Sequence, residues 1–376
     1  MRIGIDARFY GPRVGGGGIG RYVAELITHL QLLDQENEYV LFLKKDNFHE
    51  CVITNPRFTK RMVDVHWYGL KEQRVMPRVI KRARVDFMHF PHWNVPVLSR
   101  VPFLVTIHDL ILLEDAKSAR TTTRGPLVHG FKYAGFRTVL ENAIHRSRHI
   151  LSVSEFTKGS ILKHFGIAQG KISVIPNGVT ALKQTRNVSL THLGVYEPYF
   201  LYVGSAYPHK NLEMLMHAFA TFHETNSGVQ LVIAGRRDVF SRRLEKEARD
   251  LGLPVGAVRF IDFPSDGELA KLYAHANLFI FPSRIEGFGI PPLEAMSVGT
   301  PVAAARSASL PEVLGDAASY FDPDDIEILA EIMHTSIHWP DRLQAQCEAG
   351  LERAQGFSWL NMAIQTLEIY ERFPTL

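Results

Sequence analysis

Short apolar runs alternate with helical patterns along almost the whole chain, and this alternation constrains the fold more than any other feature of the sequence. Runs such as EYVLFL (38–43) and VQLVIAG (229–235) have the length of buried strands, and amphipathic segments such as Arg21–Leu33 separate them. Strands that alternate with helices form parallel sheets, because a parallel connection needs a helix-sized crossover. The sequence therefore predicts an α/β fold.

The alternation occurs in two blocks. Strands are predicted in the first block at 2–8, 38–43, 85–90, 102–109, 149–154 and 171–176, and in the second block at 199–205, 229–235, 258–263, 277–283 and 300–305. Helices are predicted, among others, at Arg21–Leu33, about Pro126–Arg146, Glu155–His164 and about Trp359–Phe373. Ligands of open α/β sheets bind outside the carboxyl ends of the strands, so two such domains predict a pocket between them.

A polar stretch without periodicity separates the blocks. Between Pro176 and Pro198 the sequence contains an Asn-Gly turn and few apolar residues, which is typical of a linker. The chain of 376 residues is long enough for two domains. We assign residues 1–180 to an N-terminal domain, 181–357 to a C-terminal domain and 358–376 to a final helix. Its apolar residues Leu360, Ile364, Leu367 and Tyr370 are expected to pack against another element.

Charge is distributed unequally between the two halves. Residues 1–185 contain 27 Lys and Arg against 15 Asp and Glu, a net charge of +12, whereas residues 186–376 carry −9. A basic first half indicates an anionic partner such as a membrane surface, a phosphorylated lipid or a nucleic acid, unless the two domains simply complement each other. The N-terminus goes straight into a strand pattern, the two cysteines form no disulfide or metal pattern, and no apolar run could span a bilayer. We therefore expect a cytoplasmic protein.

The segment RIEGFGIPPLEAM (284–296) carries two carboxylates in positions suited to a ligand. Glu286 lies in the loop after a strand, beside Gly287 and Gly289, and Glu294 follows two prolines that begin a helix. Glycines let a backbone approach a ligand, and a helix N-terminus attracts phosphate. The pattern predicts a ligand with hydroxyl-bearing sugars at both ends and phosphates between them. The alternative is a solvated Glu286 and a Glu294 that only complements the helix dipole.

Cations are expected at the ends of neighbouring strands. Lys210 follows strand YFLYV and directly precedes a helix, for which Asn211 is the expected cap. Arg236 and Arg237 follow the strand at 229–235. Three such cations could neutralise a diphosphate without a metal ion, although a lysine in this position could also be merely solvated.

A glycine-rich segment, VGGGGIGR (14–21), follows the first strand. Gly15, Gly17 and Gly20 match the dinucleotide pattern G-x-G-x-x-G, but they lie seven or more residues beyond the strand, too far for the tight turn of a dinucleotide site. The residues about 20 positions further on precede the second strand rather than end it. We therefore interpret the segment as a loop that closes over a phosphate or a sugar.

Two histidines end strands of the first domain. His108 could bind a sugar hydroxyl or orient an acceptor, and a purely structural role is equally compatible with the sequence. His92, Trp93 and Asn94 resemble a sugar-stacking surface at another strand end.

Two further segments admit competing interpretations. The acidic cluster Asp322–Asp325 could hold a metal, but it directly precedes a helix, and no His or Cys cluster accompanies it, so helix capping is the preferred interpretation. The basic stretch at 77–84 places Val79, Ile80 and Ala83 on one side. It could contact anionic lipid or form an ordinary surface helix.

Taken together, these segments resemble the family 4 glycosyltransferases, which are retaining enzymes of the GT-B architecture. The resemblance covers nearly the whole chain through GGGGIGRYVAEL, TIHDL, VSEFTKGSI, VIPNGV, PHKNLEMLMHAF, LVIAGR, the block around RIEGFGIPPLEAMSVGTPV, and SLPEVLGDAA. Glu286 and Glu294 match the E-x7-E motif of the family. The resemblance implies two Rossmann-like domains facing across a cleft, with the final helix returning to the first domain.

The resemblance also implies roles for individual residues. Glu286 would contact the donor sugar, as would His108 from the first domain, and Glu294 would bind the ribose. Lys210 would bind the diphosphate, and the loops would contribute backbone groups from Gly17, Gly18, Gly287, Phe288 and Gly289. Many members have arginine where this chain has Ser205, so Arg236 is the expected substitute cation. Catalytic roles are assigned to His108, Glu286 and Lys210, and an acceptor-side role to His92, Trp93 and Asn94.

The subtype resembles bacterial mannosyltransferases of O-antigen and exopolysaccharide assembly. This implies transfer of mannose from GDP-mannose, without metal or other cofactor, to a saccharide or a polyprenyl-diphosphate-linked saccharide at the inner membrane face. Alternatives are a UDP-sugar donor, either glucose or N-acetylglucosamine, and a noncatalytic nucleotide-sugar-binding protein. A nicotinamide dehydrogenase fits the glycine spacing poorly, and a nucleic-acid binder would need aromatic residues among the basic ones.

Overall fold

The computed structural model describes residues 1–11, 17–115, 126–180, 182 and 189–376, with residues 126–132 by their backbone. The strands are β1 (Arg2–Asp6), β2 (Glu38–Leu43), β3 (Phe58–Met62), β4 (Phe87–Phe90), β5 (Phe103–Ile107), β6 (His149–Ser152), β7 (Ile172–Val174), β8 (Tyr199–Val203), β9 (Gln230–Gly235), β10 (Val258–Asp262), β11 (Leu278–Phe281), β12 (Val302–Ala305) and β13 (Ser319–Phe321).

The helices are α1 (Gly18–Leu33), α2 (Leu70–Ala83), α3 (Ile111–Glu114), α4 (Pro126–Arg146), α5 (Glu155–Phe165), α6 (Leu212–His223), α7 (Val239–Asp250), α8 (Asp266–His275), α9 (Ile290–Met296), α10 (Leu310–Leu314), α11 (Ile326–His338), α12 (Gln344–Gln355) and α13 (Trp359–Arg372).

The chain forms two compact units. The first comprises Met1–Leu110, Arg120–Gly178 and Ser358–Leu376, and the second comprises Ile111–Ala119 and Val179–Phe357. Each unit contains one sheet whose strands all run parallel. The predicted α/β fold with two parallel-sheet domains is confirmed.

Both sheets reverse their direction of strand addition at one place. The strand order is β3-β2-β1-β4-β5-β6-β7 in the first unit and β10-β9-β8-β11-β12-β13 in the second. The order reverses between β1 and β4 and again between β8 and β11. Such a switch point leaves a crevice at the carboxyl ends of the two strands, where α/β proteins bind ligands.

Two strands are missed by the sequence analysis. The edge strand β3 (FTKRM) is mostly polar and largely exposed on both sides, so it lacks the apolar run used to recognise buried strands. The edge strand β13 spans only three residues. Strand β1 also ends two residues earlier than predicted, because Ala7–Phe9 form a 3-10 turn in which the Asp6 carboxylate accepts the Arg8 N–H.

The C-terminal helix α13 belongs to the first unit, as predicted, and packs against α1. The predicted contact face is only partly correct, because Tyr370 is buried whereas Leu360 and Ile364 are exposed. The buried face consists of Trp359, Met362, Ala363, Thr366, Ile369 and Tyr370. The apolar spacing was compatible with two neighbouring faces, and polar Thr366 lies on the one that is buried.

Helix α2 contains the basic stretch. Its apolar residues Met76, Ile80 and Ala83 are buried within the first unit, so the expected lipid contact through Ile80 and Ala83 is wrong. The exposed side of the segment is cationic and comprises Lys71, Arg74, Arg78, Lys81, Arg82 and Arg84. Its acidic residue, Glu72, is fully buried.

Candidate functional site

The second unit brings two of the predicted site residues into direct contact at its switch point. Lys210 lies in a 3-10 turn, Pro208–Lys210, after β8, and Glu286 lies in the loop after β11. The Lys210 Nζ donates to Glu286 Oε1 at 2.5 Å, and both side chains are largely shielded from water. The ammonium also lies 5.5 Å from the centre of the Phe281 ring. This places a cation and a carboxylate together where a sugar phosphate could meet both.

The loop that carries Glu286 is held in place by contacts with other segments of the unit. The hydroxyl of Ser309, which is fully buried, donates to the carbonyl oxygens of Glu286 and Phe288 at 2.9 and 3.1 Å. The Phe288 ring is buried and packs edge-on against Phe357. Ser309 was not predicted as a site residue, and its position in the SLPEVL segment was the only signal.

Glycine is required at position 289. Gly289 has φ +99° and caps the start of α9, and a Cβ there would lie 2.8 Å from Leu310 Cδ2. A side chain at this position would meet both an unfavourable backbone conformation and a steric clash. Gly287 is also buried in the same loop. The glycines expected from the sequence therefore serve a tight loop around Glu286.

Glu294 lies in α9 and is 3% exposed. Its Oε2 accepts a hydrogen bond of 2.9 Å from the hydroxyl of Tyr273, a fully buried residue of α8. A buried carboxylate oriented by a tyrosine can accept hydrogen bonds from a pair of sugar hydroxyls. Tyr273 was missed by the sequence analysis because it lies within a helix and outside the motif.

The other predicted donor-site residues of this unit lie at the ends of β8 and β9. Gly204 and Gly235 end β8 and β9 in close contact, since a Cβ on Gly235 would lie 2.0 Å from the Gly204 carbonyl oxygen. Ser205 follows on this edge, and its carbonyl accepts the Tyr202 hydroxyl at 2.8 Å. Arg236 lies exposed at the end of β9. The strand order thus places Ser205 and Arg236 on neighbouring strand ends.

Two capping predictions have opposite outcomes. Asn211 does not cap α6 with its side chain, because it has a left-handed backbone (φ +59°) and its amide donates to the Pro323 carbonyl oxygen at 2.7 Å. Asp325 does cap α11, and its carboxylate accepts the Ile328 N–H at 2.9 Å. The capping interpretation of the acidic cluster is therefore confirmed. Within the described ranges, no group of three or more His, Cys, Asp or Glu residues is placed to hold a metal ion.

In the first unit, the glycine segment leads directly into α1. Gly15 lies outside the described residues. Gly17 caps the helix with φ +68°, and the helix begins at Gly18, three residues earlier than predicted. A Cβ on Gly20 would lie 2.2 Å from the Gly11 carbonyl oxygen, so the start of α1 packs tightly against the end of the β1 loop. Gly17 and Gly18 are exposed.

His108 follows β5 as a neutral imidazole. Its Nε2 lies 2.9 Å from the Pro91 carbonyl oxygen, and burial lowers the pKa of the ring to about 4. A carbonyl oxygen can only accept, so Nε2 carries the proton and Nδ1 is a hydrogen-bond acceptor. The Tyr22 ring contacts the imidazole edge-on at 4.8 Å. The ring can therefore accept a hydrogen bond from a hydroxyl at neutral pH.

A buried hydrogen-bonded chain links the surroundings of His108 to the last helix. The Tyr22 hydroxyl lies 3.0 Å from Thr106 Oγ1, which is 2.8 Å from His89 Nε2. The other ring nitrogen of His89, Nδ1, lies 2.5 Å from the Tyr370 hydroxyl. Burial lowers the pKa of His89 to about 3, so this ring is neutral as well. None of these partners of His108 was predicted from the sequence.

The three acceptor-side candidates occupy different environments. His92 is buried, burial lowers its pKa to about 3, and its ring contacts Trp93 at 4.6 Å. Asn94 is 2% exposed, and its amide donates to Glu72 Oε1 at 2.7 Å. The sequence placed Asn94 on a sugar-binding surface, whereas the structure uses its amide in a buried network.

That network centres on Arg8. The Arg8 guanidinium is fully buried and forms ion pairs with Asp6 at 2.6 Å and with Glu72 at 2.5 Å. Both carboxylates raise the pKa of Arg8 against the opposing effect of burial. A buried charge is tolerated only when it is paired and hydrogen-bonded. The network therefore fixes the end of β1, the start of α2 and the loop after β4 relative to one another.

Comparison with known proteins assigns the family. The model of the Glycosyltransferase Family 4 domain matches residues 16–181, and that of the Glycosyl transferases group 1 domain matches residues 192–352. The O-antigen chain mannosyltransferase B of Escherichia coli is 31% identical over 94% of this chain and 96% of its own length. This chain is a family 4 glycosyltransferase.

Further similarities agree with this family assignment and establish the fold. The O-antigen chain mannosyltransferase RfbU of Salmonella typhimurium is 30% identical over 73% of this chain and 71% of its own length. The structure of Anabaena HepE in complex with UDP and glucose superposes with a TM-score of 0.75 at 18% identity, covering 98% of this chain and 99% of HepE. The predicted GT-B fold is confirmed.

None of the helices in the described part of this glycosyltransferase combines the length and the apolar character that a membrane span requires.

Proposed function

We propose that this glycosyltransferase transfers mannose from GDP-mannose to a saccharide or lipid-linked saccharide during synthesis of a cell-surface polysaccharide. The observation that carries the proposal is the Lys210–Glu286 pair at the switch point of the second unit, in a chain that resembles O-antigen mannosyltransferases over most of its length. The pair offers one group for a diphosphate and one for sugar hydroxyls.

The proposed donor site uses each predicted residue for one part of the nucleotide sugar. Lys210 binds the diphosphate, with Arg236 as a second cation near Ser205, and the backbone of Gly287, Phe288 and Gly289 lines the sugar and phosphates. Glu286 accepts hydroxyls of the mannose, and Glu294, oriented by Tyr273, accepts the ribose hydroxyls. From the first unit, Gly17 and Gly18 bind phosphate, and His108 Nδ1 accepts a hydroxyl of the donor sugar.

The proposed reaction breaks the bond between the sugar and the diphosphate while an acceptor hydroxyl attacks the same carbon from the leaving-group face. The departing diphosphate oxygen takes the bonding electrons and gains negative charge, and the acceptor hydroxyl passes its proton to that oxygen as the new bond forms. Attack from that face retains the configuration. Fixed cations stabilise developing charge strongly where water is excluded, so Lys210 would supply the stabilisation that a metal ion supplies elsewhere.

The donor is tested by thermal shift against GDP-mannose, UDP-glucose, UDP-N-acetylglucosamine, ADP-glucose and a dTDP-sugar, without metal and then with Mg²⁺. A ligand at 100 times its Kd stabilises the folded state by about 2.7 kcal/mol. We expect a shift with GDP-mannose that Mg²⁺ does not change. A shift with a UDP-sugar alone would replace the mannosyl proposal, and a requirement for Mg²⁺ would remove the metal-free mechanism.

A UDP-sugar donor is the second candidate. Its support is the structural similarity to HepE, whose structure contains UDP and glucose. A noncatalytic nucleotide-sugar-binding protein is a remote third candidate, because binding and catalytic residues overlap in such a site. His108→Ala separates it from an enzyme: loss of turnover with retained donor affinity indicates catalysis.

We also propose that the enzyme works in the cytoplasm at the inner membrane face, held by the cationic side of α2. The six basic residues of this segment are exposed, whereas Met76, Ile80 and Ala83 are buried, so the contact would be mainly electrostatic. Flotation with anionic vesicles at low salt is expected to recover the protein, and about 0.5 M salt to release it. Absence of binding at low salt would contradict the proposal.

A further inference from the structure

An aromatic surface in the first unit is not used by the donor site. We define the aromatic platform as Trp67, Tyr68, His92 and Trp93. The Tyr68 and Trp93 rings lie 5.2 Å apart at 32° to each other, and the Tyr68 and His92 rings lie 6.1 Å apart. Beneath them, the buried Phe9 stacks on Trp67 at 4.5 Å and contacts His92 at 5.1 Å. The four rings therefore form one aromatic cluster, in which Tyr68 is exposed, the two tryptophans are half-buried and His92 is buried.

Tyr68 is held on this platform at a cost in stability. Its backbone has φ +64°, a conformation that bulky residues rarely adopt, and the side chain is 53% exposed. Its N–H donates to Glu72 Oε2 at 2.9 Å, and Glu72 in turn pairs with the buried Arg8. Strained backbone conformations persist only where the surrounding structure holds them in place, and they are concentrated at functional sites. The Arg8–Glu72 network thus fixes an aromatic ring in solvent.

The platform lies at the switch point of its sheet. Phe9 follows β1, Trp93 follows β4, and the order of the strands reverses between these two. In addition to burial, His108 lowers the pKa of His92 and Asp109 raises the pKa of Tyr68, so the platform is near the strand end that carries His108. Its occupant is therefore a molecule that reaches the reacting end of this unit.

The chemistry of the surface favours a pyranose ring. One face of such a sugar presents C–H groups, which pack on an aromatic ring, and its edges carry hydroxyls that need polar partners. A polar partner is present beside the platform, where the Lys44 ammonium lies 4.8 Å from the centre of the Trp67 ring.

We infer that Tyr68 and Trp93 bind a sugar ring of the acceptor chain by stacking, and that Tyr68 is the residue that sets acceptor affinity. This inference rests on the proposed function, since it assigns the acceptor of that reaction to a saccharide. The buried Asn94, predicted as a sugar contact, holds Glu72 and thereby positions Tyr68.

The strained backbone at Tyr68 allows the aromatic ring to be removed with little effect on stability. Tyr68→Gly removes the ring and replaces it by the residue that best tolerates φ +64°, so the Tm is expected to stay within about 2 °C of the native value. Tyr68→Trp keeps an aromatic face. Leu70→Ala is the matched control, because Leu70 is 85% exposed two residues away, so its replacement alters the same segment without removing the Tyr68 ring.

Binding is measured directly, with mannobiose and chitobiose as the probes, by saturation-transfer NMR and tryptophan fluorescence on the full chain with GDP present. We expect Tyr68→Gly to weaken binding of at least one disaccharide about threefold to tenfold, and Tyr68→Trp and Leu70→Ala to leave it near the native value. The affinity for GDP-mannose is expected to stay the same in all variants.

Three outcomes would overturn the inference. They are absence of binding of either disaccharide to the native enzyme, equal binding by Tyr68→Gly, and an equal loss in Leu70→Ala, which would mean that the loop as a whole, and not the Tyr68 ring, determines disaccharide binding. Failure of the proposed function is distinguishable from these outcomes, because it would be seen as absence of a thermal shift with GDP-mannose while disaccharide binding still depended on Tyr68.

Discussion

The two units share the same kind of sheet topology but differ in the charges at their switch points. Both sheets reverse their strand order at one point and present loops there, yet the second unit places a shielded Lys210–Glu286 ion pair at its switch point. The first unit places neutral histidines near its own, beside a buried charge network around Arg8. In the proposed donor site, the second unit accordingly supplies the cation for the diphosphate, and the first supplies a neutral hydroxyl acceptor, His108.

The largest expected consequence concerns acid stability. Burial lowers the pKa of His89 and His92 to about 3 and that of His108 and His149 to about 4, all in the first unit. The folded state keeps these rings neutral, whereas the unfolded state protonates them below about pH 6.5. Their stabilising contribution is therefore complete above pH 6.5 and decreases as the pH falls towards 4.

Each such histidine lowers the free energy of unfolding by about 1.4 kcal/mol between pH 8 and pH 5.5, so four lower it by about 6 kcal/mol. The second unit has His209, with a pKa near 4, and His223, whose pKa burial also lowers. Hydrogen exchange at pH 8 and 5.5, corrected for intrinsic rates, is expected to show a larger loss of protection in β4–β6 than in β8–β11. Equal losses would contradict the contrast between the units.

The second prediction tests the charged site. Lys210→Ala is expected to lower kcat about 10²- to 10³-fold, because it removes a shielded cation from the developing charge. Lys246→Ala is the control, since Lys246 is largely exposed in α7 and pairs only across one helical turn with Asp250. Steady-state kinetics with GDP-mannose, together with a melting curve, provide the measurement. Full turnover by a folded Lys210→Ala variant would remove charge stabilisation from the mechanism.

The smallest expected effect concerns Arg236. This side chain is exposed, so water and salt weaken its interaction with a phosphate, and Arg236→Ala should lower kcat/KM for the donor less than tenfold. The loss should shrink further as salt is raised. Arg249→Ala, on the exposed side of α7, should have no effect. A loss as large as that of Lys210→Ala would mean that Arg236 fully substitutes for the arginine that many family members have at the position of Ser205.

Predictions from the sequence were correct where a structural element depends on the pattern of neighbouring residues, and they were wrong where tertiary contacts determine which residues are buried. The strands that are buried on both faces were recognised because parallel sheets need continuous apolar runs, and the polar edge strand β3 was missed for the same reason. Helix α4 was placed at its observed bounds from its pattern alone. The buried face of α13 was partly misassigned, because Thr366 is polar and its burial depends on packing against another helix.

The site shows the same division. The E-x7-E segment, Lys210 and His108 were identified as candidates from position and residue type, yet the ion pair joins residues 76 positions apart, and nothing in either motif predicts it. Ser309 and Tyr273 were missed altogether, because their side chains reach the motif from other elements.

By itself, the sequence determined the α/β class, the order of the buried strands, and the strand ends that carry polar residues. These follow from hydrophobic periodicity and from turn chemistry, which act over a few residues. The glycosyltransferase family was indicated separately, by the resemblance of whole sequence segments to that family. Only the tertiary structure decided that Lys210 faces Glu286, that Asn94 serves a buried charge network, and that Tyr68 stands strained in solvent. Those outcomes depend on burial and side-chain direction, which arise when distant segments pack together and exclude water.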